Sequence, residues 1–98
     1  MTKEPIVEIV RWRGLDGITD DQMTEAVAGI EPDLKTLPGF VSQTLHKDDD
    51  GHWVALYEWQ ERAQGEASIA LMGPKDTFAR LMALVLPESI QIEFLSHP

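Results

Sequence analysis

Ninety-eight residues without a cysteine, 43% hydrophobic and 26% charged, describe one ordinary globular domain over residues 1–98, with a modest core and no disulfide or thiolate chemistry. Eight basic residues against seventeen acidic ones leave a net charge of −9, which excludes nucleic acid as a partner, because phosphate binding rests on clustered Lys and Arg. The longest apolar run, Leu81 to Leu86, is too short for a membrane span, and Met1 to Pro5 carries no signal-type apolar region, so no membrane association and a cytoplasmic location are expected.

The first strand is expected over Ile6 to Arg13, rich in β-branched residues and bounded by Pro5 and Gly14. Alternation puts Val7, Ile9 and Arg11 on one face and Glu8, Val10 and Trp12 on the other. Thr19 and Gln22 have the spacing of a capping box, and Asp20 and Asp21 suit the positive end of a helix dipole. Met23, Val27, Ile30, Leu34 and Leu37 then form one helical stripe. Pro32 interrupts it, so a kink or restart is expected near Glu31. Leu37-Pro38-Gly39 stops the helix.

Phe40 to Lys47 and His52 to Trp59 match in length and flank Asp48-Asp49-Asp50-Gly51, the signature of a β-hairpin. Trp53, Ala55, Tyr57 and Trp59 share one face of its second strand, and Val54 and Leu56 share the other. A second helical region follows Glu61, with Ala63, Ala67, Ala70 and Leu71 as a small-residue face toward the sheet. Gly73-Pro74 ends it. Asp76 is a candidate cap for another segment with the stripe Phe78, Leu81, Met82 and Val85, closed by Pro87. Ser89 to Ser96 supplies the last strand, with Ile90, Ile92 and Phe94 on one face and Gln91, Glu93 and Leu95 on the other. The order β-α-β-β-α-β predicts an α+β, ferredoxin-like sandwich: a four-stranded antiparallel sheet with its helices on one side.

One face of such a sheet is helix-covered and the other open. The aliphatic Val7, Ile9, Val54 and Leu56 are expected under the helices, which turns Trp12, Trp53, Tyr57 and Trp59 outward. Burying each such ring is worth roughly 1.5–3 kcal/mol, and four exposed together exceed what a soluble monomer presents. A homodimer packed sheet to sheet would hide them. The opposite parity makes the aromatics the monomer's own core and leaves Val7, Ile9, Val54 and Leu56 outside.

Around the hairpin, Leu37-Pro38-Gly39-Phe40, Asp50-Gly51-x-Trp53 and Glu58-Trp59 before an Ala-rich helix resemble the antibiotic-biosynthesis-monooxygenase-like family of dimeric α+β barrels. The order of elements fits from about Ile6 to Leu95. The resemblance implies a ferredoxin-like protomer, a sheet-mediated homodimer and a pocket between sheet and helices. It also implies activities found across the superfamily, among them cofactor-free monooxygenation of polyphenolic rings, haem degradation and small isomerase or cyclase reactions. Quinone-forming members carry an Asn four residues before the Trp of the third strand and a Tyr early in the second helix; here these positions are Ala55 and the neighbourhood of Gly65, while Trp59 is kept. Haem-degrading members place an axial His on the second helix, and residues 60–86 contain none.

Trp12, Tyr57, Trp59 and Trp53 are candidate walls for a flat ring ligand, since planar π systems stack on aromatic side chains. Glu8 and Glu93, expected on one face of neighbouring strands, are the candidate proton acceptors, because a carboxylate among indoles has its charged form disfavoured. They could equally be solvated strand-end residues. His46 and His52 flank the turn and could face one another across the hairpin; with no clear third ligand, no metal site is assigned. His97 falls in the C-terminal tail. The consecutive Asp48, Asp49 and Asp50 lack the alternation and helical flanks of a calcium loop. Two functions fit these residues. One is a cofactor-independent monooxygenase or related enzyme acting on a small aromatic or polyketide-like molecule, with no cofactor or metal. The other is a non-catalytic dimeric barrel that binds a small hydrophobic ligand or is purely structural.

Overall fold

A computed structural model describes residues 5–96, so His97 lies outside the described residues. The chain runs through β1 (Ile6–Trp12), α1 (Asp20–Leu34), β2 (Phe40–Lys47), β3 (Trp53–Trp59), α2 (Arg62–Met72), α3 (Asp76–Met82), a 3-10 turn (Pro87–Ser89) and β4 (Gln91–Ser96). The four strands form one antiparallel sheet in the order β2-β3-β1-β4, the expected α+β, ferredoxin-like arrangement. The second helical region is split into two helices, as Gly73-Pro74 implies. No helix among the described residues is long and apolar enough to cross a membrane.

Local chemistry explains most boundaries. Thr19 caps α1 in a reciprocal box: its hydroxyl accepts from the Gln22 amide at 3.1 Å, and the Gln22 side-chain oxygen accepts from the Thr19 amide at 2.8 Å. Met23, Val27, Ile30 and Leu34 are its buried stripe. The helix does not restart at Pro32. Proline there forgoes a single amide bond, to the Ala28 carbonyl, and α1 continues to Leu34. At the hairpin, Gly51 takes φ +85°, and the Asp48 carboxylate accepts from the amides of Asp50 and His52 at 3.0 and 2.8 Å. Lys75 rather than Asp76 is the N-cap of α3, and Val85 lies beyond the helix, bridged to Gly14. Pro87 folds the following residues into the 3-10 turn, so β4 begins at Gln91 rather than Ser89.

Two further sequence expectations are corrected. The α2 face toward the sheet is Gly65, Ser68 and Met72, while Ala63, Ala67, Ala70 and Leu71 are exposed. Gly65, with no Cβ, lets α2 approach closer at that point than an alanine would. More consequentially, the parity of β1 and β3 is the reverse of the expected one. Trp12, Trp53, Tyr57 and Trp59 are buried within their own chain, together with Ile6, Glu8 and Ala55. Val7, Ile9, Val54 and Leu56 are only half-buried, on the open face. The aromatic rings are therefore core, and a partner subunit is not what hides them. The β4 assignment holds: Phe94 and Ile92 pair with Glu8 and Val10 and so share the inner face, whereas Glu93 pairs with Ile9.

A candidate small-molecule pocket

Cross-strand register lines up one row of inner-face side chains across the whole sheet. Gln43 of β2 opposes Tyr57 of β3, which opposes Glu8 of β1, which opposes Phe94 of β4. The neighbouring row carries Phe40, Trp59 and Ile6; Phe40 reaches this face because a bulge between Phe40 and Ser42 offsets the alternation. Phe40 and Trp59 then meet edge to face, with centroids 5.6 Å apart and planes at 75°.

Above these rows lies a cavity of about 270 Å³. Its floor is Glu8, Val10, Trp12, Tyr57 and Trp59. Its roof comes from all three helices: Ile30 and Leu34 of α1, Ser68 and Met72 of α2, and Phe78 and Leu81 of α3. Ile69 and Ile92, 50% and 42% exposed yet lining the cavity, mark where it reaches solvent between α2 and β4. Among the described residues, no Lys, Arg or His takes part in the lining.

Glu8 is the one carboxylate in this wall among the described residues and is 3% exposed. One of its oxygens accepts a hydrogen bond from the Trp59 indole Nε1 at 3.0 Å. Burial pushes the Glu8 carboxyl above the ordinary carboxylate range, and the indole bond only partly opposes this. Tyr57, directly across from it, is pushed upward by its own burial and by the charge of Glu8, so its phenol stays protonated. The pair is thus a proton acceptor beside a neutral donor. Trp12 is held by donation from its Nε1 to the Met23 sulfur at 3.4 Å.

The close seat of α2 fixes Trp59. A Cβ added to Gly65 would lie 2.9 Å from the indole Cδ1, 3.0 Å from Phe94 Cε1 and 3.2 Å from the indole Nε1. Sequence reasoning overlooked Gly65 and Ser68 as site residues; two small residues three apart on one helix face are the signal that could have found them. It also treated Ile30, Leu34, Phe78 and Leu81 as core alone, though they roof the cavity.

Of the candidate residues, the structure brings Glu8, Trp12, Tyr57 and Trp59 together. Trp53 is buried beside Trp12 under the Lys47 ammonium, which stands 4.8 Å from its ring, but it does not reach the cavity. Glu93 is exposed on the opposite face, so the convergence expected between it and Glu8 does not occur; adjacent strands put residues of opposite parity on opposite sides. His46 and His52 do not face one another either. His46 opposes Val54 and lies 3.2 Å from the Thr44 hydroxyl, while the His52 ring lies 3.2 Å from the Asp48 carboxylate. Asp48, Asp50 and His52 bring ligating atoms within 4.8 Å of one another, but Asp48 is already engaged in holding the turn.

No family model and no curated protein matches the chain. Solved structures do. SnoaB of Streptomyces nogalater, a cofactor-independent oxygenase, superposes with a TM-score of 0.76 at 16% identity, over 97% of this chain and 94% of that one. A Bordetella bronchiseptica protein classed provisionally as an antibiotic biosynthesis monooxygenase gives 0.77 at 14% identity, over 97% and 98%. PA3566 of Pseudomonas aeruginosa gives 0.69 at 19% identity, over 100% and 98%. At such identities the likeness establishes fold: this chain has the ferredoxin-like fold of antibiotic-biosynthesis-monooxygenase-like proteins.

Proposed function

We propose, from the fold shared with antibiotic-biosynthesis-monooxygenase-like proteins, that this protein is a cofactor-independent monooxygenase acting on a small aromatic or polyketide-like molecule. The observation that carries the reading is Glu8: a buried carboxylate, bonded to the Trp59 indole, in the wall of an otherwise apolar 270 Å³ cavity. Burying a charge-bearing group in a core is costly and gains nothing for packing, so its place in a cavity wall points to chemistry. In this reading Trp59, Tyr57 and Trp12 hold the ring and Glu8 takes the proton of a ring hydroxyl. The resulting phenolate is electron-rich enough to pass an electron to dioxygen. One oxygen atom then enters the ring, the other leaves as water, and the phenol becomes a quinone.

The working unit is a homodimer formed through the open sheet face. Val7, Ile9, Val54 and Leu56 make a continuous aliphatic strip there, and Leu95, 45% exposed, extends it. Arg11, Glu58 and Glu93 share that face around the strip, so its apolar centre with a charged margin has the make-up of a sheet-packing surface.

Oxygen uptake with dihydroxyaromatic substrates tests the chemistry. Uptake should rise with pH through an inflection above the ordinary glutamate range, because the ionised form of Glu8 is the base and burial raises its pKa. Glu8→Gln should lower the rate by roughly 10²–10⁴-fold and flatten the profile. Trp59→Phe removes the bond that stabilises the anion and should move the inflection further up. Uptake unchanged in Glu8→Gln would leave the second reading, a non-catalytic barrel that binds a small hydrophobic ligand. That reading is favoured by Ala55 and the neighbourhood of Gly65, where the family resemblance implies an Asn and a Tyr in quinone-forming members.

A further inference from the structure

The pocket's charge inventory narrows what can enter it. Among the described residues its lining holds one carboxylate, Glu8, and no cationic side chain, while the chain as a whole carries −9. Where the cavity meets solvent it is flanked by Ile69 and Ile92. An anionic ligand would meet a like charge in a low-dielectric wall with no cationic group among the lining residues to neutralise either; the nearby Arg62 stands over Phe94, outside the lining. One oxygen of Glu8 is occupied by the Trp59 N–H, which leaves the other as an acceptor that a ligand donor can satisfy.

Resting on the small-molecule reading above, we infer that the pocket selects by charge: its ligand is an uncharged, largely apolar molecule that presents a hydroxyl donor to Glu8, and carboxylated, phosphorylated or sulfonated counterparts are rejected. A cavity of 270 Å³ lies just below the range of drug-sized sites, which suits a compact system of about two fused rings. The donor gives the ligand orientation. A hydroxyl on a carboxylate makes a short, charge-assisted hydrogen bond, and its ring then lies among Trp12, Tyr57 and Trp59. The same contact delivers the proton that oxygenation would remove.

Three probes of one ring skeleton test this by calorimetry on the full chain near pH 7: naphthol, methylnaphthalene and naphthalenesulfonate. Naphthol should bind best. Methylnaphthalene, lacking the donor, should bind about tenfold or more weaker. Naphthalenesulfonate should bind at least about a hundredfold weaker than naphthol. Because the sulfonate stays anionic, acidifying the wild-type protein until Glu8 is neutral should improve its affinity, and Glu8→Gln at neutral pH should do the same, provided its far-UV spectrum shows a folded chain. The acid titration decides the matter without the variant. Naphthalenesulfonate binding as tightly as naphthol would overturn charge selection while the ligand pocket stands. Equal affinity for naphthol and methylnaphthalene would overturn the hydroxyl contact. Failure of all three to bind would overturn this inference together with the reading it rests on.

Discussion

On one face of β1 and β3 stand Ile6, Glu8, Trp12, Trp53, Tyr57 and Trp59; on the other, from the intervening positions, stand Val7, Ile9, Val54 and Leu56. Both sets are largely apolar, but they differ in shape. Indole and phenol rings are long and uneven, and they suit the face beneath α2, which offers only Gly65, Ser68 and Met72 from above. There the sheet must supply the volume, and wherever rings and helices fail to interdigitate a cavity remains. The aliphatic side chains are short and level, and they suit a second sheet stacked at roughly 10 Å. The lesson is that size sorts the faces as much as hydrophobicity does: large rings fill under a sparse helical layer, and compact aliphatics pave a flat one.

The largest effect that can break this comparison comes from emptying the inner face. Trp59 is 1% exposed, meets Phe40 edge-on and bonds Glu8. Trp59→Ala should cost about 3–5 kcal/mol in urea unfolding, from lost burial, the cavity left behind and an orphaned carboxylate. Leu56→Ala, on the half-exposed face, should cost less than about 2 kcal/mol when compared at concentrations low enough to disfavour association. The reverse ranking would show that the faces are assigned the wrong way round.

A smaller effect sharpens the account of the helix seat. Replacing a helical glycine by alanine ordinarily gains about 0.8–1.0 kcal/mol. At Gly65 the new methyl would meet the Trp59 indole at 2.9 Å and Phe94 at 3.0 Å, an overpacking that costs about 1–3 kcal/mol. Gly65→Ala should therefore destabilise the chain by about 1 kcal/mol and shift Trp59 fluorescence. Stabilisation instead would mean that α2 yields and does not clamp the ring.

Much of this was legible beforehand. The Thr19–Gln22 box, the stripe Met23-Val27-Ile30-Leu34 and the Asp-Gly hairpin each follow from interactions within a few residues, and the structure carries them almost unchanged. Parity was not legible, because alternation says which residues share a face and never which face the helices cover. The expectation that the aliphatic Val7, Ile9, Val54 and Leu56 belong under the helices is what reverses it. Glu8 held the better clue: a carboxylate in register with aromatics makes more sense in an internal site than at a sheet–sheet interface. Glu93 was placed beside it because both were judged polar residues of the pocket face. The pairing Glu8–Phe94 is a matter of strand register across more than eighty positions of chain, which local patterns do not encode.

The smallest effect on the fold belongs to the outer face, and there the two halves of the comparison separate most cleanly. Leu56 opposes Ile9 on one side and Thr44 on the other, at the middle of the aliphatic strip. In one protomer a lysine at this position can extend its ammonium into water, so Leu56→Lys should change the unfolding free energy of the isolated chain by no more than about 0.5–1 kcal/mol. In a sheet-to-sheet dimer the same substitution puts two like charges into the facing layers, which Glu58 and Glu93 at the edges of the strip only partly offset, and association should be lost. Sedimentation should then find the wild type at twice the 11.0 kDa chain mass and the variant at 11.0 kDa. Naphthol affinity should survive that dissociation within about twofold, since the cavity lies on the helix-covered side of the sheet, opposite the dimer face. Wild-type protein sedimenting as a monomer at micromolar concentration would remove the dimer, and naphthol binding lost on dissociation would show that the outer face supports the inner one.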